Sequence, residues 1–381
     1  MKIIAFYLPQ YHAIPENDKA WGKGFTEWVN VQNAKPLFEG HKQPRVPLNN
    51  NYYNLLDINV QRWQVKIAQE YGVYGFCFYH YWFNRKMLLE KPLENFRDQK
   101  DIDFPYCLCW ANEPWTKAWV SKENEVIMPQ KYGDKDEWED HFNYFLTYFK
   151  DPRYIKNDNK PFLVIYRPSD IPCLEPMLAL WRELAVKNGF NGLDIAFQTI
   201  NLDMEGDKRR GLFDYDIEYQ PSYAQMDLEK FNFPVLRKIK RKIDAILLNR
   251  KGGKTVDFHQ MIYKNRIENN NMMSYDRLWE AILSRKPIDN KCLPGAFIDW
   301  DNSPRKGNRA RICEGASPEK FQKYMTAQIR RAKELYHTDM IFVYAWNEWA
   351  EGGYMEPDEL NGYGYLEALK QALIANHELK E

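Results

Sequence analysis

Eight short apolar or β-branched runs, at residues 2–9, 73–82, 106–112, 161–166, 194–199, 214–221, 295–300 and 340–346, alternate with stretches of helical periodicity. Several runs are continuous rather than alternating, such as Phe162-Leu-Val-Ile-Tyr166 and Ile341-Phe-Val-Tyr344. That is the pattern of parallel strands covered on both faces. Helical patterns fall at 57–71, 134–150, 174–188, 275–285, 318–337 and 363–379. Strand and helix in alternation predict a parallel sheet. Eight strands in a chain of 381 residues favour closure into a (β/α)8 barrel over a doubly wound sheet, with one catalytic domain spanning 1–381. The weakest link is 201–214, where no good crossover helix is visible. Two segments exceed simple connections: 11–54 after the first strand, and an insertion at about 222–290 after the sixth. Long loops at strand C-termini are expected to wall an active-site cleft.

Charge balance narrows the partners. Lys+Arg and Asp+Glu are 53 each, so no global field draws the chain to nucleic acid or to an anionic membrane. The basic stretch Leu236-Arg-Lys-Ile-Lys-Arg-Lys-Ile243, with Ile239, Ile243 and Ile246 at helical spacing, reads as a solvated helix face. Its alternative is a peripheral contact, through 236–251, with a phosphate-bearing or lipid-linked substrate. No apolar stretch is long enough for a signal peptide or a membrane span. The six scattered cysteines (Cys77, Cys107, Cys109, Cys173, Cys292, Cys313) suit a reducing compartment, and the expectation is cytoplasmic. A glycine-rich phosphate loop, H-E-x-x-H and G-x-S-x-G are all missing, and D-x-D recurs too often to inform. Neither cofactor nor metal is expected.

In a parallel barrel the strand C-termini converge on one mouth. Reading them in order gives Tyr11 and His12; His80, Tyr81 and Trp82; Trp110, Asn112 and Glu113; Tyr166 and Arg167; Gln198; Glu218 and Gln220; Asp299, Trp300 and Asp301; and Asn347, Glu348 and Glu351. This acidic, aromatic and amide-rich set suits a hydroxyl-rich carbohydrate, whose flat apolar faces stack on rings while its hydroxyls meet carboxylates and amides. The aromatic content of 15% serves a core equally well. Cleaving a glycosidic bond needs one protonated and one ionised carboxyl group, and neighbouring carboxylates in a partly dry cleft split their proton affinities that way. Glu348 and Glu351, spaced i,i+3, would share one face of a helical turn, roughly 5–6 Å apart at Cβ. The bland alternative is a solvated helix face. Two carboxylates on one turn cannot easily attack a sugar from opposite sides, so the attack comes from elsewhere: from Glu113 of Asn112-Glu-Pro114, or from the sugar's own 2-hydroxyl. Glu113 is otherwise a substrate-binding group. His80 reads either as functional or as a core imidazole.

Phe6-Tyr-Leu-Pro-Gln-Tyr-His12, Gly24-Phe-Thr-Glu-Trp28, Lys35-Pro-Leu-Phe38, Trp110-Ala-Asn-Glu113, Tyr166-Arg-Pro168, Trp300-Asp-Asn302 and Ala345-Trp-Asn-Glu-Trp-Ala-Glu-Gly352 together resemble the WbsX-like family. That family occurs in polysaccharide biosynthesis clusters and is related to the glycoside hydrolase family 99 endo-α-mannosidases and mannanases. The resemblance implies a (β/α)8 fold and a retaining reaction. By it, Glu348 would act as base on the 2-hydroxyl, giving a 1,2-anhydro sugar, and Glu351 as the acid and then the base. A free 2-hydroxyl trans to the leaving group is then required, as in α-mannosides or α-rhamnosides. The expected substrate-binding set is Tyr11, Glu27, Trp28, His80, Tyr81, Trp82, Trp110, Asn112, Glu113, Arg167, Gln198, Glu218, Asp299, Trp300, Trp346 and Asn347. The same cleft could serve a glycosyltransferase of O-antigen or capsular polysaccharide biosynthesis. A carbohydrate-binding protein without turnover is the third reading.

Overall fold

The computed structural model describes residues 1–117, 125–200, 204, 206–229 and 272–380. Its main sheet is built from β1 (Lys2–Tyr7), β2 (Gly75–Phe83), β3 (Tyr106–Trp110), β4 (Lys160–Ile165), β5 (Asp194–Gln198), β6 (Tyr215–Ile217), β7 (Cys292–Leu293 and Gly295–Phe297) and β8 (Met340–Tyr344). These pair in parallel in chain order, and β8 returns to β1, from Lys2↔Met340 to Ala5↔Val343. The ring therefore closes as a (β/α)8 barrel. Its one interruption is Pro294, which has no N–H to give to the ladder. The first half of β7 pairs with β6 and the second with β8. A Cβ on Gly295 would collide with the carbonyl oxygen of Glu218, so glycine is what lets the chain pass β6 there.

Around the ring lie α1 (Ile58–Glu70), α2 (Lys91–Asp98), α3 (Lys135–Phe149), α4 (Leu174–Lys187), α5 (Tyr275–Ser284), α6 (Pro318–Glu334) and α7 (Gly364–Ile374). Side-chain caps set several starts: Asp57 accepts from Asn59 N, Asp134 from Glu137 N, Ser274 from Arg277 N and Ser317 from Lys320 N. Pro318 follows Ser317 in the first turn, where a missing N–H costs nothing. Between β5 and β6 the described residues hold only a 3-10 turn, Lys208–Leu212. Arg210 fastens that turn to Asp216 at 2.9 Å and to Asp289 at 2.6 Å. The helix α2 was not expected, because Leu93 and Phe96 are the only large apolar residues in it.

Aromatic rings fill the barrel. Phe6 lies 5.7 Å from each of Tyr79, Tyr219 and Phe342, and Phe162 lies 5.8 Å from Phe342. Trp279 on α5 stacks on Phe297 and Tyr324 in the outer layer. Much of the aromatic content is thus core.

The segment after β1 contains short helices at Pro15–Trp21 and Glu27–Asn33 and lies over the ends of β7 and β8. Arg45 reaches Asp299 at 2.6 Å, while His41 and Gln43 reach Asp301 at 2.8 and 2.6 Å. Of the 222–290 insertion, a helix at Ser222–Glu229, a strand at Met272–Ser274 paired with Ile312–Glu314, and α5 are described. The basic stretch 236–251 and the Asn-rich tract up to residue 271 lie outside the described residues. Among the described residues no helix is long and apolar enough to cross a membrane.

Candidate active site

The segment after β8 turns back on itself as a hairpin. Asn347–Glu348 pairs antiparallel with Gly353–Tyr354, and a 3-10 turn, Trp349–Glu351, closes the loop. The Glu-x-x-Glu pair therefore sits on a tight hairpin rather than on an α-helical turn. Gly352 has φ 68°, and a Cβ there would come within 2.7 Å of Asp301 N, the atom that donates to Glu351 O. A Cβ on Gly353 would overlap the ring of Tyr344. Gly353→Ala is expected to push Tyr344 off Glu351 and lower turnover at least tenfold, with far-ultraviolet circular dichroism unchanged. Wild-type turnover in that variant would show that the ring position is immaterial.

From below, Asn347 holds the hairpin to β1. Its Oδ1 accepts from Leu8 N at 2.7 Å, and its Nδ2 donates to Leu8 O at 3.0 Å. The Tyr11 hydroxyl donates to Asn347 O and accepts from Trp349 N at 3.2 Å. Trp28 packs beneath, 4.5 Å from Tyr11 and 5.5 Å from Trp349. Behind the turn, buried Glu356 accepts from Gln64, Tyr53 and Trp349 at 2.7–2.8 Å.

Above the hairpin is a cavity of about 200 Å³. Glu348 and Glu351 occupy part of its wall, with Tyr79, Tyr81, Tyr166, Tyr219 and Tyr344 around it and Glu113, Trp115, Arg305 and Lys306 completing the polar lining. Arg305, on the short helix Ser303–Lys306 after β7, is buried and forks across three carboxylates. Its Nη1 donates to Glu351 Oε1 at 2.6 Å, its Nη2 to Glu348 Oε2 at 3.3 Å and its Nε to Glu27 Oε2 at 3.1 Å. Tyr344 donates its hydroxyl to the other Glu351 oxygen. Both Glu351 oxygens thus accept hydrogen bonds. Glu348 is different. Burial pushes its carboxyl well above the ordinary range, Arg305 pulls it back, and the charges of Glu351 and Glu27 push it up again.

Of the expected substrate-binding residues, Tyr81 and Glu113 line this cavity. Arg167 stands behind Glu113 as its ion-pair partner. Others lie elsewhere. On β2, successive side chains take opposite faces, so Tyr79 and Tyr81 look into the barrel while His80 and Trp82 look toward α3. His80 meets His141 at 3.0 Å, Trp82 stacks on that imidazole and bonds to Glu137, and Trp110 packs against both His141 and Trp181. His80 accordingly has its proton affinity lowered to about 3 by burial. Asn112 ties β3 to β4 through both backbone atoms of Arg167, at 2.7 and 2.8 Å. Trp346 packs on Phe76, Asp299 pairs with Arg45, and Trp300 lies 5.5 Å from Tyr344. Gln198 is buried with neither amide atom bonded among the described residues, and Glu218 bonds to Tyr336 at 2.9 Å. Tyr11, Glu27, Trp28 and Asn347 support the hairpin or Arg305. Among the described residues no group of three or more His, Cys, Asp or Glu could hold a metal ion.

Burial pushes Glu218 and Glu356 up to about 7, against about 4.3 for an unfolded glutamate. Between those values the folded chain holds protons that the unfolded chain has released, so stability falls as pH rises. Thermal midpoints should drop from pH 5 to pH 7.5, and the slope should flatten in Glu218→Gln and Glu356→Gln. A midpoint that rises over this interval contradicts the assignment.

The sequence profile of the family described as Glycosyltransferase WbsX matches residues 3–369. The chain belongs to the WbsX family. The Uncharacterized protein WxcX of Xanthomonas campestris pv. campestris is 35% identical over 374 residues, which are 97% of this chain and 49% of that protein. This WbsX-family chain thus spans about half the length of the curated relative it matches. Among solved structures, it is similar to the family 99 glycoside hydrolase endo-α-mannosidase from Bacteroides thetaiotaomicron, with TM-score 0.54, 14% identity, and coverage of 99% of this chain and 96% of that one. It is also similar to a Glycoside hydrolase-like protein, with TM-score 0.58, 15% identity, and coverage of 97% and 93%. At such identities the likeness is one of fold.

Proposed function

We propose that this chain is a retaining glycoside hydrolase acting on α-linked mannose- or rhamnose-type oligosaccharide or polysaccharide, with Glu348 and Glu351 as its catalytic pair. The observation that carries the reading is two glutamates on one wall of a tyrosine-lined cavity, bridged by a single buried guanidinium. A same-sided pair suits attack by the sugar's own 2-hydroxyl. Glu348 takes the 2-hydroxyl proton, O2 bonds to C1, and the C1–O bond to the leaving group breaks as Glu351 gives that oxygen a proton. Glu351 then takes a proton from water as the water oxygen bonds to C1, the C1–O2 bond breaks and Glu348 returns its proton to O2, so configuration is retained overall. Glu348 must be ionised to take the 2-hydroxyl proton, and the Arg305 guanidinium favours its ionised form against burial. The reverse assignment, with Glu351 as base and Glu348 as acid, is decided by variant kinetics.

The description of the family favours a second reading, transfer to a sugar acceptor. Release of reducing sugar from α-mannan and α-rhamnan oligosaccharides, without nucleotide sugar or metal, separates the two. Turnover lost in Glu348→Gln and Glu351→Gln supports hydrolysis by the pair. A folded wild type that acts only with a nucleotide- or lipid-linked donor overturns it in favour of transfer.

A further inference from the structure

A buried carboxyl beside two other carboxylates keeps its proton, and a carboxyl that keeps its proton cannot be a base. Glu348 is in that position: it is almost fully buried, with Glu351 and Glu27 close by. Arg305 is bonded to all three, through three different nitrogens. Its fork geometry makes the distribution of charge specific, since a lysine has a point charge and no planar fork. Glu27 comes from a separate element, the helix Glu27–Asn33 of the β1 segment, and does not line the cavity. It bonds instead to the guanidinium Nε and to Asn30.

We infer that Arg305 and Glu27 form a positioning couple that sets the protonation of Glu348, the cation drawing it toward the carboxylate that can act as base and the buried anion holding that pull in check. The inference rests on the glutamate pair being the catalytic one. The charged and titratable groups facing Glu348 and Arg305 are Tyr11 and Glu27 from the β1 segment, Tyr79 and Tyr81 from β2, Tyr219 after β6, Lys306 beside Arg305, Tyr344 from β8, and Glu351 from the hairpin. Glu27 and Arg305 can both be changed without removing a proposed reacting group or the hydroxyl bonded to Glu351, and they act with opposite sign.

The test uses full-length enzyme labelled with δ-13C glutamate, the Glu348 signal being identified by its loss in Glu348→Gln. Its titration midpoint is followed by NMR in wild type, Arg305→Gln, Arg305→Lys and Glu27→Gln, alongside the pH profile of sugar release. Arg305→Gln should raise the midpoint by about 1–3 pH units, the range for loss of an opposite charge within contact distance. Arg305→Lys should raise it less, and Glu27→Gln should lower it. The acidic limb of the rate profile should move the same way in each. Midpoints that stay within experimental error, or that move in one direction for both charge-removing variants, overturn the couple. If Arg305→Gln does not fold, Arg305→Lys and Glu27→Gln still carry the sign test. The NMR shifts without any sugar release by wild type would leave the couple standing and remove hydrolysis; sugar release with unmoved midpoints would do the reverse.

Discussion

Glu351→Gln should lose about 10²–10⁴-fold in kcat/KM on an oligosaccharide, and regain most of it on an aryl α-glycoside whose phenolate leaves without help, since kcat/KM reports the bond-breaking step and not the later attack of water that Glu351 also serves. Removing an acid matters only when the leaving group needs a proton. Glu348→Gln should lose a similar factor on both substrates, because forming the 1,2-anhydro ring requires a base whatever departs. The two variants thus separate the roles by leaving-group dependence. Rescue of Glu348→Gln instead would exchange the two assignments. Equal losses without rescue in either variant would point to a pair that binds sugar without general acid catalysis.

Asn347→Ala should destabilise the fold by about 2–6 kcal/mol. The side chain is fully buried and pairs with both the N–H and the carbonyl of Leu8, and each buried backbone group left unpaired costs about 1–3 kcal/mol. A urea midpoint measured beside Lys187→Ala, an exposed change expected to stay within about 0.5 kcal/mol, supplies the comparison. Turnover should fall too, since Glu348 follows directly on the same hairpin strand. A loss under 1 kcal/mol would mean that water replaces the amide, and that the hairpin is not held by β1.

The strands were legible because covered parallel strands are written as unbroken apolar runs, such as the segment that became β4. The shortest helix of the ring was not, since α2 carries only Leu93 and Phe96 to mark its buried face. Site residues were harder for a definite reason. Position at a strand end says which end of the barrel a residue occupies, but facing in or out depends on parity. His80, Tyr81 and Trp82 are consecutive, so at most alternate members can reach one cavity, and Tyr81 does. Counting in twos from Tyr79 would have separated them and drawn Tyr79 in. Arg305 carries no local signal of its role: its three partners lie 278, 43 and 46 residues away along the chain. Tyr344, at the end of a run read as plain strand, was equally silent, because a tyrosine there packs or donates according to what the hairpin brings back to it.

The barrel closes where β1 meets β8, pairing Lys2 with Met340. During synthesis, β1 can gain β2 early, but its other edge has no partner until more than 300 residues later in the sequence. An unpaired strand edge is a template for the wrong neighbour. The hairpin with both glutamates directly follows the closing strand. A nascent chain therefore sets its two glutamates in place only at the moment its seam is sealed, and fragments stalled before that point would lack the hairpin and be adhesive toward one another.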